Sequence, residues 1–354
     1  MRQPAHGGNL AWAAALAGCP PSAILDFSAS ISPLGPPKSA IAAIESQLDH
    51  LRHYPDPDYG ELRLALSHFH QLPPEWILPG NGSAELLSLA GRDLAQLAAT
   101  ALITPAFGDY YRALAAYHAK VLEFSLLVFR TLSLIFDKVE NTKDKGLLLN
   151  NPHNPTGVLF SREAILPYLE KFALVVVDEA FMDFLPPGQE QSLIEVVQEY
   201  PNLVILRSLT KFYSLPGLRL GYAIAHPERL RRWQSWRDPW PVNTLAAAAA
   251  VAVVQDKEFQ EQTWAWLPPA RNQLFAGLAS MPGLQPLESA ANFLLVESQQ
   301  SSSQLQQNLL QHHQIFIRDC LSFPELGDRY FRVAVRSWSD NQRLLEALSL
   351  VINH

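Results

Sequence analysis

The chain has 354 residues, 48% hydrophobic and 17% charged, which excludes a disordered polymer and is too long for one ordinary small core. A net charge of −7 argues against a nucleic-acid or anionic-membrane partner. Two cysteines, Cys19 and Cys320, make no disulfide framework and suit a reducing cytoplasm.

Leu10 to Ala17 is apolar, and Leu16-Ala-Gly-Cys19 has the look of a lipoprotein cleavage site. Only Arg2 is basic ahead of it, and His6-Gly7-Gly8-Asn9 interrupts the entry. The stretch therefore reads as an arm followed by a short helix. No segment reaches the roughly 18 apolar residues of a membrane span. Asp26 to Pro37 is extended and punctuated by turns. Ser39 is read as the cap of an amphipathic helix with Ile41, Ile44 and Leu48 on one face. Tyr54-Pro-Asp-Pro-Asp-Tyr59 is a rigid loop, and Glu61 to His70 a second helix.

Pro79-Gly-Asn-Gly82-Ser83 reads as a glycine loop feeding a helix over Leu86 to Ala98. A helix N-terminus presents free N–H groups that can bind phosphate, although a simple turn fits the loop equally. Strands are expected at Ala101–Thr104, Val121–Phe124 and Leu147–Leu149, with helices at Tyr110–His118 and Ser161–Phe172. Leu126 to Lys145 has no clear pattern. The alternation implies an α/β fold with a mostly parallel, largely buried sheet. Gly221 to Ala225 is its expected antiparallel member.

Composition changes after Pro239-Trp-Pro-Val-Asn243. Helices at Thr244–Gln255, Phe259–Ser280, Ser302–His313 and Asp340–Ile352 alternate with strands at Phe293–Val296, Ile315–Ile317 and Phe331–Val335. The expected division is an arm over 1–38, a large domain over 39–243 and a smaller α/β domain over 244–354. A site is expected between the two domains.

Three stretches carry chemistry. Leu203-Val-Ile-Leu206 would deliver Ser208 and Lys211 to the C-terminal edge of a strand, where open α/β sheets place ligands. Ser208 and Arg219 suit a phosphate, with Gly217 and Gly221 letting backbone approach. Lys211 suits a carbonyl cofactor, but alone it reads equally as a loop lysine on the surface. Leu174-Val-Val-Val-Asp178 is a buried strand ending in an acid, fit to face a protonated ring nitrogen. Asn151-Pro-His-Asn154-Pro-Thr-Gly157 is a turn-rich loop whose Asn154 can bond a ring hydroxyl or close an Asx turn.

In the order Asn154, Asp178, Lys211, Arg219, these residues resemble the fold-type I pyridoxal-phosphate enzymes of the aminotransferase class I/II group, along most of the chain. The resemblance implies pyridoxal 5'-phosphate held by Lys211, Asp178 and Asn154. Phe107 would stack on its ring, and Gly82, Ser83, Ser208 and Arg219 would cup its phosphate. Tyr54 would reach across a homodimer to the neighbouring cofactor. No metal is implied.

Two branches of that group are similar to this chain, the histidinol-phosphate aminotransferases and the threonine-phosphate decarboxylases of cobalamin biosynthesis. His6-Gly7-Gly8-Asn9, Phe181 in place of the usual tyrosine, the lysine stretch and the C-terminal arginines resemble the decarboxylases. They imply decarboxylation of a phosphorylated amino acid, with amino transfer as the alternative. A non-catalytic regulator would need an added DNA-binding module. Arg332 would then bind the substrate carboxylate, with Arg318, Arg336 and His6 at its phosphate. Arg332 and Arg336 are expected to share a strand face, being an even number apart. Ser30 and Ser32 stand where the decarboxylase pattern has asparagines, and His153 replaces an asparagine in the Asn154 loop.

Overall fold

A computed structural model describes residues 6–129, 131–136 and 139–352. Residues 1–5 of the expected arm lie outside the described residues. Helix α1 (Leu10–Ala17) starts where Asn9 Oδ1 accepts from Trp12 N and stops at Gly18, whose φ is 67°. The apolar N-terminal stretch is thus built into the fold, with Ala13 and Ala14 buried beside Phe316 and Leu310. Strand β1 (Leu25–Asp26) follows.

Helices α2 (Lys38–Ser46) and α3 (Gly60–His70) come next. Ser39 does not cap α2, which already includes Lys38; its hydroxyl instead donates to Asp256 Oδ2 at 2.5 Å. β2 (Ile77–Asn81) absorbs Pro79 and Gly80, expected to be loop. β2 is an edge strand, where a proline's missing N–H costs no ladder bond. Helix α4 (Gly82–Leu94) therefore begins at Gly82 itself.

β3 (Ala99–Thr104), α5 (Gly108–Ala115) and β4 (Val121–Ser125) run on from there. The unpatterned stretch holds two short helices, α6 (Leu126–Phe129) and α7 (Leu132–Phe136), before β5 (Lys145–Asn150). Helix α8 (Arg162–Leu169) is capped by Ser161, and β6 (Leu174–Asp178), β7 (Leu203–Ser208) and β8 (Leu220–Ala225) complete the main sheet. Its order is β2-β8-β7-β6-β5-β3-β4. The pairs from β7 to β4 are parallel, whereas β8 is antiparallel to both β7 and β2. All five residues of β6 are buried, as an unbroken apolar run under helices on both faces should be.

Helix α9 (Pro227–Gln234) precedes α10 (Thr244–Gln255) and α11 (Lys257–Ala279). Then come β9 (Leu284–Pro286), β10 (Phe293–Ser298), α12 (Ser302–His313), β11 (Ile315–Phe316), β12 (Arg318–Asp319), β13 (Tyr330–Ala334) and α13 (Trp338–Ile352). A four-stranded sheet runs β12-β13-β10-β9.

Two sets of contacts cross the expected division. α10 packs on α2 and α3 of the large unit, burying Ala246, Ala249, Ala250 and Val253. Its small side chains permit close helix approach. The arm joins the C-terminal unit: β1 pairs in parallel with β11, and α1 packs on α12. No described helix is long and apolar enough to cross a membrane.

Candidate active site

A cavity of about 310 Å³ opens at the C-terminal ends of β5, β6 and β7, closed from the other side by β12 and β13. Nine of the expected residues line it: His6, Ser83, Phe107, Asn154, Asp178, Lys211, Arg219, Arg318 and Arg332. The parallel register explains the grouping. Asn150 and Asp178 are partners on β5 and β6, and Asp178 pairs with Leu206 on β7, two residues before Ser208.

Asp178 is buried. Its Oδ2 accepts from the Tyr110 hydroxyl at 2.8 Å and its Oδ1 from Ala180 N at 3.0 Å. Burial raises the carboxyl above its ordinary pKa, against the pull of Lys211 and the Tyr110 hydroxyl. The Lys211 amine is half-buried and donates to Ser208 Oγ at 3.1 Å. Burial lowers its pKa; Asp178 opposes this, while Arg219 and Arg332 add repulsion. The amine also lies 5.6 Å from the centre of the Phe181 ring. Ser208, expected in the phosphate cup, is fully buried behind Lys211 and is not among the residues facing the cavity.

The first turn of α4 carries Ser83 and Ala84 into the cavity, with N–H groups that no helical carbonyl can satisfy. Gly82 has φ +73°, and a Cβ there would stand 2.7 Å from Arg219 Nη2. A Cβ on Gly221 would meet Ser83 N at 2.6 Å. The two glycines let the helix start, the β8 backbone and the guanidinium converge. Phe107 caps α5 and lies edge-on to both Tyr110, at 5.8 Å, and His6, at 5.5 Å. The arm is held by Gly8 N donating to Ser28 Oγ at 2.8 Å, and a Cβ on Gly7 would strike Ser28 O at 2.1 Å.

Arg318 and Arg332 are register partners on antiparallel β12 and β13 and share a face. Arg332 Nη1 donates to Asn154 Oδ1, and its guanidinium lies 4.9 Å from the Phe293 ring centre. Arg318 Nη2 donates to Ser322 Oγ at 2.5 Å. The pKa of Arg332 is brought down to about 10, by burial first and then by Arg318. Arg336 does not join them. β13 ends at Ala334, so the even spacing no longer fixes a face; Arg336 binds Asp340 at 3.1 Å and the Asp26 carbonyl at 3.1 Å, outside the cavity lining. Tyr54 is also absent from the cavity of its own chain; it is 77% exposed and stacks on Trp240 at 4.3 Å.

The sequence reading missed Tyr110 and Asn150. Tyr110 lies one helical turn after Phe107, a spacing that could have revealed it. Asn150 Oδ1 accepts from Asn154 N at 2.5 Å, and its amide donates to the Asp178 carbonyl at 2.7 Å. Ser30 lines the cavity with a buried hydroxyl that finds no partner among the described residues. His153 is buried and bonds Thr156 Oγ1 at 2.8 Å, and burial lowers its pKa to about 4.

Residues 22–348 match the family "Aminotransferase class I and II". The threonine-phosphate decarboxylase of Salmonella typhimurium is 40% identical, over 98% of this chain and 96% of that protein. The adenosylcobalamin biosynthesis bifunctional protein CobDQ of Leptospira interrogans is 30% identical over 99% of this chain, which corresponds to 41% of that longer protein. The crystal structure of the histidinol-phosphate aminotransferase from Clostridium acetobutylicum superposes with a TM-score of 0.85 at 28% identity, covering 93% of this chain and 99% of that one.

Proposed function

The chain belongs to the class I and II aminotransferase family, and from that premise we propose that it decarboxylates L-threonine O-3-phosphate with pyridoxal 5'-phosphate, in cobalamin biosynthesis. The observation that carries this reading is the Arg318–Arg332 pair opposite Lys211 and Asp178 in one cavity. The match to the Salmonella decarboxylase spans nearly the whole of both chains.

The residues present fit the cofactor. Ser30 Oγ is a buried hydroxyl turned to the cavity without a partner among the described residues, and Gly82 leaves a cradle that a side chain would fill. Lys211 would hold the aldehyde, Asp178 the ring nitrogen and Asn154 the ring hydroxyl. Phe107 would cover the ring. Ser83, Gly82 and Arg219 would take the phosphate, with Ser208 beneath. When bound, pyridoxal phosphate supplies a sink for the electron pair released at the substrate's α-carbon.

The reaction breaks the Cα–carboxylate bond, releases carbon dioxide, adds a proton at Cα and leaves (R)-1-aminopropan-2-yl phosphate. Asp178, kept in place by Tyr110 and Ala180, would face the ring nitrogen and favour its protonated form. Arg332 and Arg318 present two cationic forks to a substrate with two anionic groups, a carboxylate and a phosphate. Their mutual repulsion falls when anions arrive. Lys211, an amine held below its ordinary pKa, suits proton delivery at Cα. Which bond to Cα breaks is set by how the arginines orient the substrate, and so the same cavity also suits amino transfer.

Incubating the holoenzyme with threonine phosphate and no keto acid tests the reading. Carbon dioxide should be released. Its absence, with amino transfer from histidinol phosphate to a keto acid in its place, would establish the alternative.

The same reading makes the protein a cytoplasmic homodimer. Ile41, Leu48, Leu51, Tyr54 and Trp240 are all exposed, an apolar run that a second copy would cover. Tyr54 can serve a cofactor only in such a partner.

A further inference from the structure

One carboxylate outside the assigned residues joins the two lobes at the rim of the cavity. Glu325 lies between β12 and β13. Its Oε1 accepts from Thr104 Oγ1, and its Oε2 accepts from Ser125 Oγ at 2.6 Å. Thr104 and Ser125 end β3 and β4 and are partners in the parallel register. The two hydroxyls therefore emerge side by side, and one carboxylate accepts from both.

Both ends of this bridge lead into the cavity. On the large unit, Thr104 is followed by Pro105, Ala106 and the cavity-lining Phe107. On the small unit, Glu325 lies two residues after Phe323 and three after Ser322, which also line the cavity. Ser322 receives the Arg318 guanidinium. The segment around them is internally tied: Phe323 N donates to Cys320 O at 2.9 Å, and Leu326 N donates to Phe323 O at 2.9 Å. Phe323 and Leu326 are buried with Cys320 and Leu295, so the segment is a firm lever. A second cavity of about 220 Å³, lined by Pro105, Tyr111, Glu123, Ser322 and Glu325, marks the seam that the bridge spans.

We propose that Glu325 is a positioning residue, a clasp that holds the Ser322–Phe323 wall, and through Ser322 the Arg318 guanidinium, against the substrate. The role of Arg318 in this rests on the phosphorylated-substrate reading above; the clasp between lobes does not.

Two measurements on the holoenzyme test it. Glu325→Ala should raise KM for threonine phosphate about tenfold, equivalent to about 1.4 kcal/mol, and leave kcat within about twofold. Glu325→Gln should fall between, because its amide oxygen accepts from one hydroxyl while its NH2 can only donate to the other, and neither bond is charge-assisted. Without substrate, the amides of 321–323 and 325–327 should exchange with deuterium faster in Glu325→Ala than in the unsubstituted protein. If Glu325→Ala does not fold, Thr104→Val with Ser125→Ala removes the same bonds from the other side and should give the same shifts. An unchanged KM with unchanged exchange overturns the clasp. An unsubstituted enzyme that leaves threonine phosphate intact overturns the functional reading instead, and the exchange measurement still decides whether the clasp exists.

Discussion

Arg318 and Arg332 face each other directly across β12 and β13. Like charges in opposed positions destabilise a sheet, which is consistent with the anion-binding role proposed above. Removing either fork should cost a charge-assisted hydrogen bond, about 1.5–3 kcal/mol. Arg332→Ala should therefore lower kcat/KM for threonine phosphate roughly 10- to 150-fold. Arg336→Ala should stay within about threefold, since Arg336 serves Asp340 and Asp26 and not the cavity. Steady-state kinetics of the two variants check the contrast.

Tyr110→Phe removes the hydroxyl that steadies Asp178. The carboxylate keeps Ala180 N but is free to rotate. With cofactor saturating, kcat should fall about tenfold, the effect of one hydrogen bond to a charged group. The melting temperature should change little, because the ring still fills its place. A kcat equal to that of the unsubstituted enzyme would remove Tyr110 from the site.

His153 gives the protein an acid-side weakness. Its pKa is about 4 when folded, against about 6.5 for an unperturbed imidazole. A depressed folded pKa means the stabilisation is present above pH 6.5 and lost as pH falls towards 4. The difference amounts to about 3 kcal/mol. His153→Asn cannot titrate and should lose less stability over that interval. Urea unfolding of both proteins at pH 7, 5.5 and 4 provides the comparison.

Leu51 is 59% exposed within the apolar run that includes Tyr54. Leu51→Asp would place a charge in the dimer interface proposed above. The variant should elute as a monomer on sizing and lose most of its activity, because Tyr54 would no longer reach a second site. A fully active monomer would contradict the shared-site arrangement.

The parallel sheet, the lysine strand and the acid of β6 were legible because an unbroken apolar run ending in a polar residue has few other readings. The Arg318–Arg332 pairing was not. It depends on the antiparallel register of two strands separated by a loop, and spacing along one strand pointed instead to Arg336. α10 was expected as a helix with the bounds it has, but its packing on α2 and α3 was not legible, because an alanine-rich helix shows little amphipathic contrast. Ser39 was read as a cap because serine near a helix start suits that place, whereas its actual partner, Asp256, lies 217 positions away. Tyr110 was overlooked because its partner Asp178 belongs to a distant strand.

The pairing of β1 with β11 has a consequence during translation. Leu25 and Asp26 leave the ribosome early, but Ile315 and Phe316 follow about 290 residues later. At ~5–20 residues per second, the arm waits roughly 15–60 s for its companion strand. For that interval Phe27 and the apolar face of α1 lack their native cover. The nascent chain is then most exposed to chaperones and proteases at its leading end, and the part of the cavity wall made by His6 and Gly7 is among the last to be fixed.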